Sequence, residues 1–364
     1  MNRVEPLDYG RFLAAITVLA YHYLVNGIYN GKIDSLAPEP ALVGFAKYGY
    51  LGVEFFFMIS GYVIFFSARG KRASEFVVSR ALRLYPAFWV AMLCTAAVAV
   101  FLGDGRMDVT PAQVLVNLTM FSRALGVPFV DGVYWTLQFE LAFYLAVLAL
   151  LLAGLQDRLE PIFLLWPFAM AVALALGLSE LPYLGGHFPF FAAGAVLAIQ
   201  KTRPTRYSLA ALLLCCALCV LFAVRNLPAG LVADGVSYFR PLIAAIVCAQ
   251  FAFFLFLNSR LGSRLRLPGS RLAGGLTYPL YLVHAHIGYM LLSRFATEDN
   301  KALVYPAVVA LVLALACAIH FGIERRGAAF WRGAIDASLG RATRWLERRL
   351  AGVPGLVARL RRAA

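Results

Sequence analysis

Apolar blocks of about 20 residues, the length that a helix needs to cross the hydrocarbon of a bilayer, recur along the whole of this 364-residue chain. The composition agrees, because 62% of the residues are hydrophobic and only 14% are charged, against about 25% charged in soluble domains. Short alternating segments of the kind that build a transmembrane barrel are absent. The sequence therefore predicts an all-α, polytopic membrane protein.

The positions of the blocks predict about ten membrane-spanning helices with both chain ends on the cytoplasmic side. About 25 of the 33 Lys and Arg residues fall on the side that holds both termini, as the positive-inside rule requires of the cytoplasmic face. A missed or extra span would scramble this asymmetry. The predicted spans are residues 7–27, 47–67, 85–103, 132–154, 161–178, 182–200, 207–224, 240–258, 272–293 and 302–323.

The surplus of positive charge has an explanation in the membrane. The formal net charge is +14, and basic loops that fix the orientation account for it, so we expect no nucleic-acid partner. The six cysteines all lie in apolar blocks and show neither a disulfide framework nor metal-ligand spacing with histidines. We therefore expect no metal site.

The first predicted span carries Asp8, Arg11 and His22. Arg11 and His22 are 11 residues apart. At about 100° and about 1.5 Å per residue, they share one helical face with about 16 Å between them along the axis. Ionisable groups at membrane depth are energetically unfavourable and usually face a protein interior or a wet cavity. This pair is therefore the first candidate for a functional site.

Two further clusters combine charge with aromatic residues. Arg80 and Arg83 share a helical face at the start of the third span, where paired guanidinium groups suit phosphate or carboxylate. Ordinary anchoring by positive charge is the alternative. In the fourth span, Trp135 and Tyr144 flank Glu140, a carboxylate that must be neutral or attract a cation at that depth. A structural ion pair is the alternative there.

Two more spans contain isolated polar residues. Glu54 lies in the second span and His284 in the middle of the ninth. A lone histidine in a helical bundle is more often a hydrogen-bonded packing residue than a catalyst. A packing role is therefore favoured for His284, and it is favoured more strongly for the three histidines His187, His286 and His320.

Together these segments resemble the membrane acyltransferase-3 family, bacterial enzymes that O-acylate surface polysaccharides, peptidoglycan, Nod factors and some macrolides. The resemblance covers residues 5 to about 326 and rests on motifs in a fixed order. These are Arg11-x10-His22, GVEFFFMISGYVI, Arg80-x-x-Arg83-LYPAFW, YWTLQFELAFY, TYPLYLVH and IERR. There are two departures: Glu54 stands where an aspartate is usual, and the first span reads LDYGRFLA instead of the commoner LDGLRGLA.

The resemblance implies transfer of an acyl group, usually acetyl from acetyl-CoA, to a hydroxyl of a cell-surface or exported glycan or glycolipid at the bacterial inner membrane. It implies that His22 is the catalytic residue, as general base or as acyl acceptor, with Arg11 and Glu140 beside it. The resemblance also implies that Arg80, Arg83 and Arg11 bind the acyl-CoA donor. Coenzyme A is cytoplasmic and polyanionic, which agrees with arginines on that side.

We further expect contacts to the acceptor from Trp135, Tyr144, His284 and Glu54. Residues 1–326 are expected to form the transmembrane domain, and residues 327–364 a basic amphipathic tail that contacts anionic membrane lipids. Direct attack of the hydroxyl and a covalent acyl-histidine relay both stay open. The alternative function is a secondary transporter or flippase of a sugar or lipid intermediate, which buried charges would also serve.

Overall fold

The computed structural model describes residues 5–351, and every regular element in that range is helical, as predicted. Most of the short 3₁₀ and π-helical segments are counted here with the helices that they extend, and the segments Arg123–Leu125 and Asp336–Gly340 are left unlabelled. In chain order the helices are α1 (Glu5–Tyr29), α2 (Pro40–Ala68), α3 (Ala73–Leu102), α4 (Pro111–Asn117), α5 (Gly132–Leu152), α6 (Leu159–Ala175), α7 (Phe188–Thr202), α8 (Arg206–Arg225), α9 (Ala229–Ala233), α10 (Arg240–Asn258), α11 (Arg260–Arg264), α12 (Ser270–Val283), α13 (Ala285–Phe295), α14 (Lys301–Arg326), α15 (Ala328–Ile335) and α16 (Arg341–Ala351).

Seven of the described helices are long and apolar enough to cross a membrane, namely α1, α2, α3, α5, α8, α10 and α14. Each of the ten predicted spans contains a helix, but α6 and α7 have only 17 and 15 residues. A helix of 15 residues is about 22 Å long, against about 30 Å of hydrocarbon. The ninth predicted span is two helices, α12 and α13, that meet at His284. The chain is thus a multi-pass helical protein, and the predicted count of about ten spans is not confirmed.

Helix α7 is short and almost wholly buried. Every residue from Phe188 to Ile199 is buried, and a helix that is apolar on all sides is expected to be surrounded by protein. Helix α2 touches it backbone to backbone at two glycines. A Cβ atom would lie 2.0 Å from the Phe191 carbonyl oxygen at Gly61, and 1.9 Å from the Met58 carbonyl oxygen at Gly194. Small residues are what allow helices to approach so closely.

Two irregular segments contact each other. Helix α1 contains a π-helical segment over His22–Asn26, a feature that is frequent at functional sites. His284 separates α12 from α13. The Tyr23 hydroxyl donates a 2.7 Å hydrogen bond to the His284 carbonyl oxygen. The π-helical segment of one helix therefore satisfies the carbonyl at the break in another.

The starts of α1, α3 and α12, which carry Arg11, Arg80, Arg83 and Arg271, come together at one end of the bundle, called the basic end below. There Glu5 accepts a 2.7 Å hydrogen bond from the main-chain N–H of Leu267, in the loop before α12. Helix α16 packs near the same end, where Glu347 accepts hydrogen bonds of 2.9 and 3.0 Å from the N–H and hydroxyl of Ser74 at the start of α3. The predicted tail thus packs on the bundle as far as residue 351, and its remainder lies outside the described residues.

Candidate active site

A cavity of about 440 Å³ opens among α1, α2, α3, α5, α12 and α14, and it is called the arginine cavity. Its lining includes four arginines and two carboxylates: Asp8, Arg11, Arg80, Arg83, Glu140 and Arg271. An excess of positive side chains around a low-dielectric cavity concentrates an attractive field for anions. The cavity is therefore suited to a negatively charged ligand.

Tyrosine rings support Arg80 and Arg83 at this cavity. The guanidinium carbon of Arg80 lies 5.9 Å from the ring centre of Tyr144, and that of Arg83 lies 5.0 Å from the ring centre of Tyr278. Stacking on a ring face orients a guanidinium and leaves its N–H edges for a ligand. Arg83 also lies 3.7 Å from Glu324 Oε1. The buried Nε of Arg80 has no hydrogen-bond partner within residues 5–351, so one donor remains for an anion.

Glu140 lies among hydroxyl groups. Its Oε1 accepts hydrogen bonds from the Tyr144 hydroxyl and, at 3.4 Å, from the Ser60 hydroxyl. In the described part of the chain no Lys or Arg nitrogen lies within 4.0 Å of this carboxylate. Arg11 lines the same cavity, and its electrostatic attraction to Glu140 acts over a longer distance than an ion pair. Glu140 is thus held by hydroxyls and not by a direct ion pair.

A second cavity of about 570 Å³, the histidine cavity, lies toward the end of the bundle away from the basic loops. Its lining combines imidazole, amide, phenol, carboxylate and indole groups, contributed by His22, Asn26, Tyr50, Glu54, Trp135 and His187. Among the described residues, Arg225 is the one arginine that lines this cavity. Aromatic walls with a few convergent polar groups are typical of sites for polar organic ligands.

Glu54 and His187 form a carboxylate–imidazole pair in this second cavity. The Nδ1 atom of His187 lies 3.1 and 3.3 Å from the two carboxylate oxygens of Glu54. The His187 ring packs between Trp135 and Phe139, with ring centres 5.1 and 4.9 Å away. The aromatic walls therefore fix a polar pair at the edge of the space that His22 also lines.

His22 makes two contacts through a single ring nitrogen. Its Nδ1 lies 2.9 Å from the Val18 carbonyl oxygen and 3.3 Å from Nε2 of His284. His284 is 1% exposed and lines neither cavity. The His284 ring contacts His22 from behind, and the expected contact between His284 and the acceptor stays a prediction.

The two cavities share just two of the described residues, Val53 and Tyr281, which are called the partition below. Tyr281 is 7% exposed. Its hydroxyl lies 2.8 Å from that of Thr136, and its ring centre lies 5.7 Å from that of Phe56. The partition is therefore a packed side chain held at both its ring and its hydroxyl, next to one valine.

A comparison with protein families decides the relationship of the chain. The sequence model of the acyltransferase-3 family, described as an acyltransferase domain, matches residues 5–321. The chain belongs to the acyltransferase-3 family. An "O-acetyl transferase" of Shigella phage Sf6 is 38% identical to this chain over 89 residues, which are 24% of each of the two proteins. The chain thus spans about a quarter of the length of that curated relative. No solved structure matches the chain.

In this acyltransferase-3 chain the motif residues divide between the two cavities. Those that line the arginine cavity are Arg11, Arg80, Arg83, Glu140 and Tyr144, and those that line the histidine cavity are His22, Glu54 and Trp135. Tyr144 therefore lies with the arginines and not with the residues expected to bind the acceptor. Arg11 and His22 belong to one helix but face different cavities.

Three residues that had no predicted part in the functional site line a cavity, namely His187, Tyr281 and His320. Tyr281 lies in the TYPLYLVH motif, three residues before His284. His187 and His320 are ionisable residues in apolar stretches, which is a signal in itself. Within the described residues, no group of three or more His, Cys, Asp or Glu side chains is placed to hold a metal ion.

Proposed function

We propose that this chain is an integral inner-membrane O-acyltransferase that moves an acyl group, foremost acetyl, from acyl-CoA to a hydroxyl of a cell-surface or exported glycan. One observation carries the proposal: an arginine-lined cavity and a histidine-lined cavity meet at Val53 and Tyr281. A two-substrate transfer needs an anion site for the donor and a base for the acceptor, held in fixed proximity. The name of the phage relative, an O-acetyl transferase, supports acetyl as the group transferred.

The arginine cavity would bind the donor. Coenzyme A carries several phosphate groups, and the guanidinium forks of Arg80 and Arg83 suit phosphate oxygens. With the basic end in the cytoplasm, where acyl-CoA is available, both termini and the donor lie on the same side of ten membrane crossings. The pantetheine arm would then carry the thioester past Val53 and Tyr281 toward His22.

The histidine cavity would bind the acceptor, a glycan or glycolipid. The Trp135 indole offers a flat apolar face, and the Glu54 carboxylate accepts hydrogen bonds from hydroxyl groups. His187 holds that carboxylate at 3.1 Å. A hydroxyl-rich ligand thus finds both of the group types that orient a sugar ring.

His22 would act as a general base on the acceptor hydroxyl. Its Nε2 takes the hydroxyl proton while the oxygen forms a bond to the thioester carbonyl carbon. The carbon–sulfur bond breaks, and the proton on Nε2 passes to the departing thiolate. In the covalent route, the lone pair of Nε2 attacks the thioester carbonyl carbon and coenzyme A leaves as the thiolate. The acceptor oxygen then displaces Nε2 from the acyl carbon, and the hydroxyl proton passes to the thiolate.

The decisive experiment compares the surface glycans of cells that carry the wild-type protein, the His22→Ala variant or no protein. We expect O-acetyl signals in the NMR spectrum of the glycans only with the wild-type protein, while the variant inserts in normal amounts. Normal acetylation by the His22→Ala protein would exclude His22 as the base or the acyl carrier.

Donor binding has its own test in the purified protein. Arg80→Ala and Arg83→Ala should each weaken acetyl-CoA binding in calorimetry by roughly ten- to a hundredfold, since a charge-assisted hydrogen bond contributes about 1.5–3 kcal/mol. Arg69→Ala is the matched control, because Arg69 directly follows the end of α2 and does not line the cavity. An affinity equal to that of the control would leave the paired arginines as membrane anchors.

Transport of a sugar or lipid intermediate is the second candidate function. It is favoured by one observation, a pair of cavities toward opposite ends of the bundle with a partition between them, which also suits alternating access. Flux of a lipid-linked sugar in vesicles without any acyl donor would support it. Release of free coenzyme A that depends on an acceptor would reject it.

A further inference from the structure

His284 is buried behind His22 and contacts its ring. We propose that His284 is a positioning residue: its Nε2 accepts the Nδ1–H of His22 and so keeps the lone pair of His22 Nε2 free for the acceptor hydroxyl. The effect on catalysis rests on the acyl transfer proposed above. The proton positions do not, and they can be tested without any substrate.

The first step concerns the proton of neutral His284. Its Nδ1 lies 2.8 Å from the Tyr281 carbonyl oxygen, and a carbonyl oxygen can only accept. Nδ1 therefore carries the proton. A neutral imidazole has one N–H group, so Nε2 of His284 has a lone pair. That Nε2 is the atom 3.3 Å from His22.

Two acceptors consequently converge on Nδ1 of His22. One is the Val18 carbonyl oxygen at 2.9 Å, and the other is His284 Nε2 at 3.3 Å. If Nδ1 had a lone pair, three lone pairs would meet at a buried site, where an unsatisfied polar atom destabilises by about 1–3 kcal/mol. An Nδ1–H group shared between the two acceptors satisfies all three atoms. Nε2 of His22 is then the basic nitrogen of a residue that lines the histidine cavity.

Hydrogen bonds of two tyrosine hydroxyl groups hold the segment around His284 in place. Tyr23, the residue after His22, donates a 2.7 Å hydrogen bond to the His284 carbonyl oxygen. Tyr281, which supplies the carbonyl for Nδ1, is itself fixed by the 2.8 Å contact between its hydroxyl and that of Thr136. The two imidazole rings meet edge to face, with centres 4.9 Å apart and planes at 76°. Hydrogen bonds of the neighbouring residues Tyr23 and Tyr281 therefore hold the segments that carry the two rings.

The partner of His22 is a neutral imidazole and not a carboxylate. Within residues 5–351, neither His22 nor His284 has a carboxylate oxygen within 4.0 Å. During the transfer, Nε2 of His22 gains the hydroxyl proton, and the resulting imidazolium keeps its Nδ1–H directed at the His284 lone pair, which stabilises the charge. The proton then leaves from Nε2 to the thiolate. His284 exchanges no proton.

Nitrogen NMR of the protein tests the proton positions. The chain has five histidines, so the spectrum of protein labelled with ¹⁵N-histidine in nanodiscs is small enough to assign with His22→Gln and His284→Gln variants. At pH 8 and without substrate, we expect both rings to be neutral with the proton on Nδ1. A wild-type His22 that carries its proton on Nε2 would overturn the proposal.

Kinetics test the consequence. His284→Ala should lower kcat by roughly ten- to a hundredfold, the equivalent of about 1.4–2.8 kcal/mol, and leave acetyl-CoA affinity unchanged. His284→Gln should restore most of kcat, because its amide oxygen can accept the same hydrogen bond. An unchanged kcat in the alanine variant, or a glutamine variant as slow as alanine, would contradict the positioning role.

Two measurements keep this proposal separate from the proposed function. If the alanine variant does not fold, as judged by size-exclusion chromatography, the wild-type NMR spectrum and the glutamine variant still decide. If His22→Ala is fully active, the acyl-transfer mechanism fails, whereas the tautomer of His22 is measured all the same. A slow His284→Ala enzyme beside an inactive His22→Ala enzyme supports both.

Discussion

The contact between α2 and α7 predicts a large effect for one added methyl group, in Gly194→Ala. The new Cβ would lie 1.9 Å from the Met58 carbonyl oxygen and 2.7 Å from the main-chain nitrogen of Tyr62. Both neighbours are backbone atoms, so no side-chain rotation relieves the clash. The two helices must separate by more than 1 Å for the contact to reach even the 3.0 Å limit that Cβ atoms observe.

The magnitude follows from the place of this contact in the core. Overpacking a well-packed interior destabilises by about 1–3 kcal/mol, and the upper end applies here because the clash involves backbone on both helices. About 3 kcal/mol corresponds to a more than hundredfold fall in the ratio of folded to unfolded protein. Helix α2 also carries Val53 and Glu54, so a displaced α2 should reduce activity in the fraction that still folds.

The assay is thermal unfolding in detergent, followed by fluorescence-detected size-exclusion chromatography. Gly44→Ala is the matched control, because Gly44 is also helical and a Cβ atom there has no neighbour within 4 Å. We expect Gly194→Ala to unfold several degrees below the wild-type protein and the control to match it or exceed it slightly. Equal midpoints for the two variants would refute the packing argument.

Two further predictions concern the loops and the tail. Hydrogen bonds from Arg106 and then Ser293 hold the pKa of Asp34 at about 2, below its ordinary 3.8, so Asp34 stabilises the fold above pH 4 and loses this effect as the pH falls toward 2. Asp34→Asn should therefore lower the melting temperature slightly at pH 7, since the side chain is 46% exposed, and the difference from wild type should vanish in melts recorded between pH 4 and pH 2. Glu347→Ala should release α16 from Ser74 and accelerate tryptic cleavage within Arg341–Ala351; an unchanged cleavage rate would show that other contacts hold the helix.

The positions of the helices could be predicted because the bilayer imposes a length and a polarity on each one. The limits of that rule show at α7, where turns occupy residues 182–186 and leave a helix of 15 residues. Protein on all sides of α7 supplies the apolar surroundings that lipid supplies elsewhere. Neither the π-helical segment His22–Asn26 nor the break at His284 has a local sequence signal strong enough to predict it, because each depends on contacts with the other.

The candidate site could be predicted in part. Arg11, Arg80 and Glu140 can be recognised from the sequence, because a charged group at membrane depth is energetically unfavourable unless it has a function or a partner. Their shared cavity depends on which helices are neighbours, and one sequence does not determine that order. The same holds for His284, whose helical position predicts a buried face and not the identity of the residue it touches. Tyr281 carries no charge and so gave no signal of its own.

The partition described above has a consequence for the energy supply of the cell. Of the described residues, only Val53 and Tyr281 line both cavities, so the two cavities meet at these two packed side chains. A continuous watery path through an inner membrane would let protons run down the gradient that drives ATP synthesis. We expect wild-type protein in vesicles to leave proton permeability unchanged, and a leak in that measurement would contradict the idea. Transfer of an acyl group from one face of the membrane to the other would then leave the proton gradient intact.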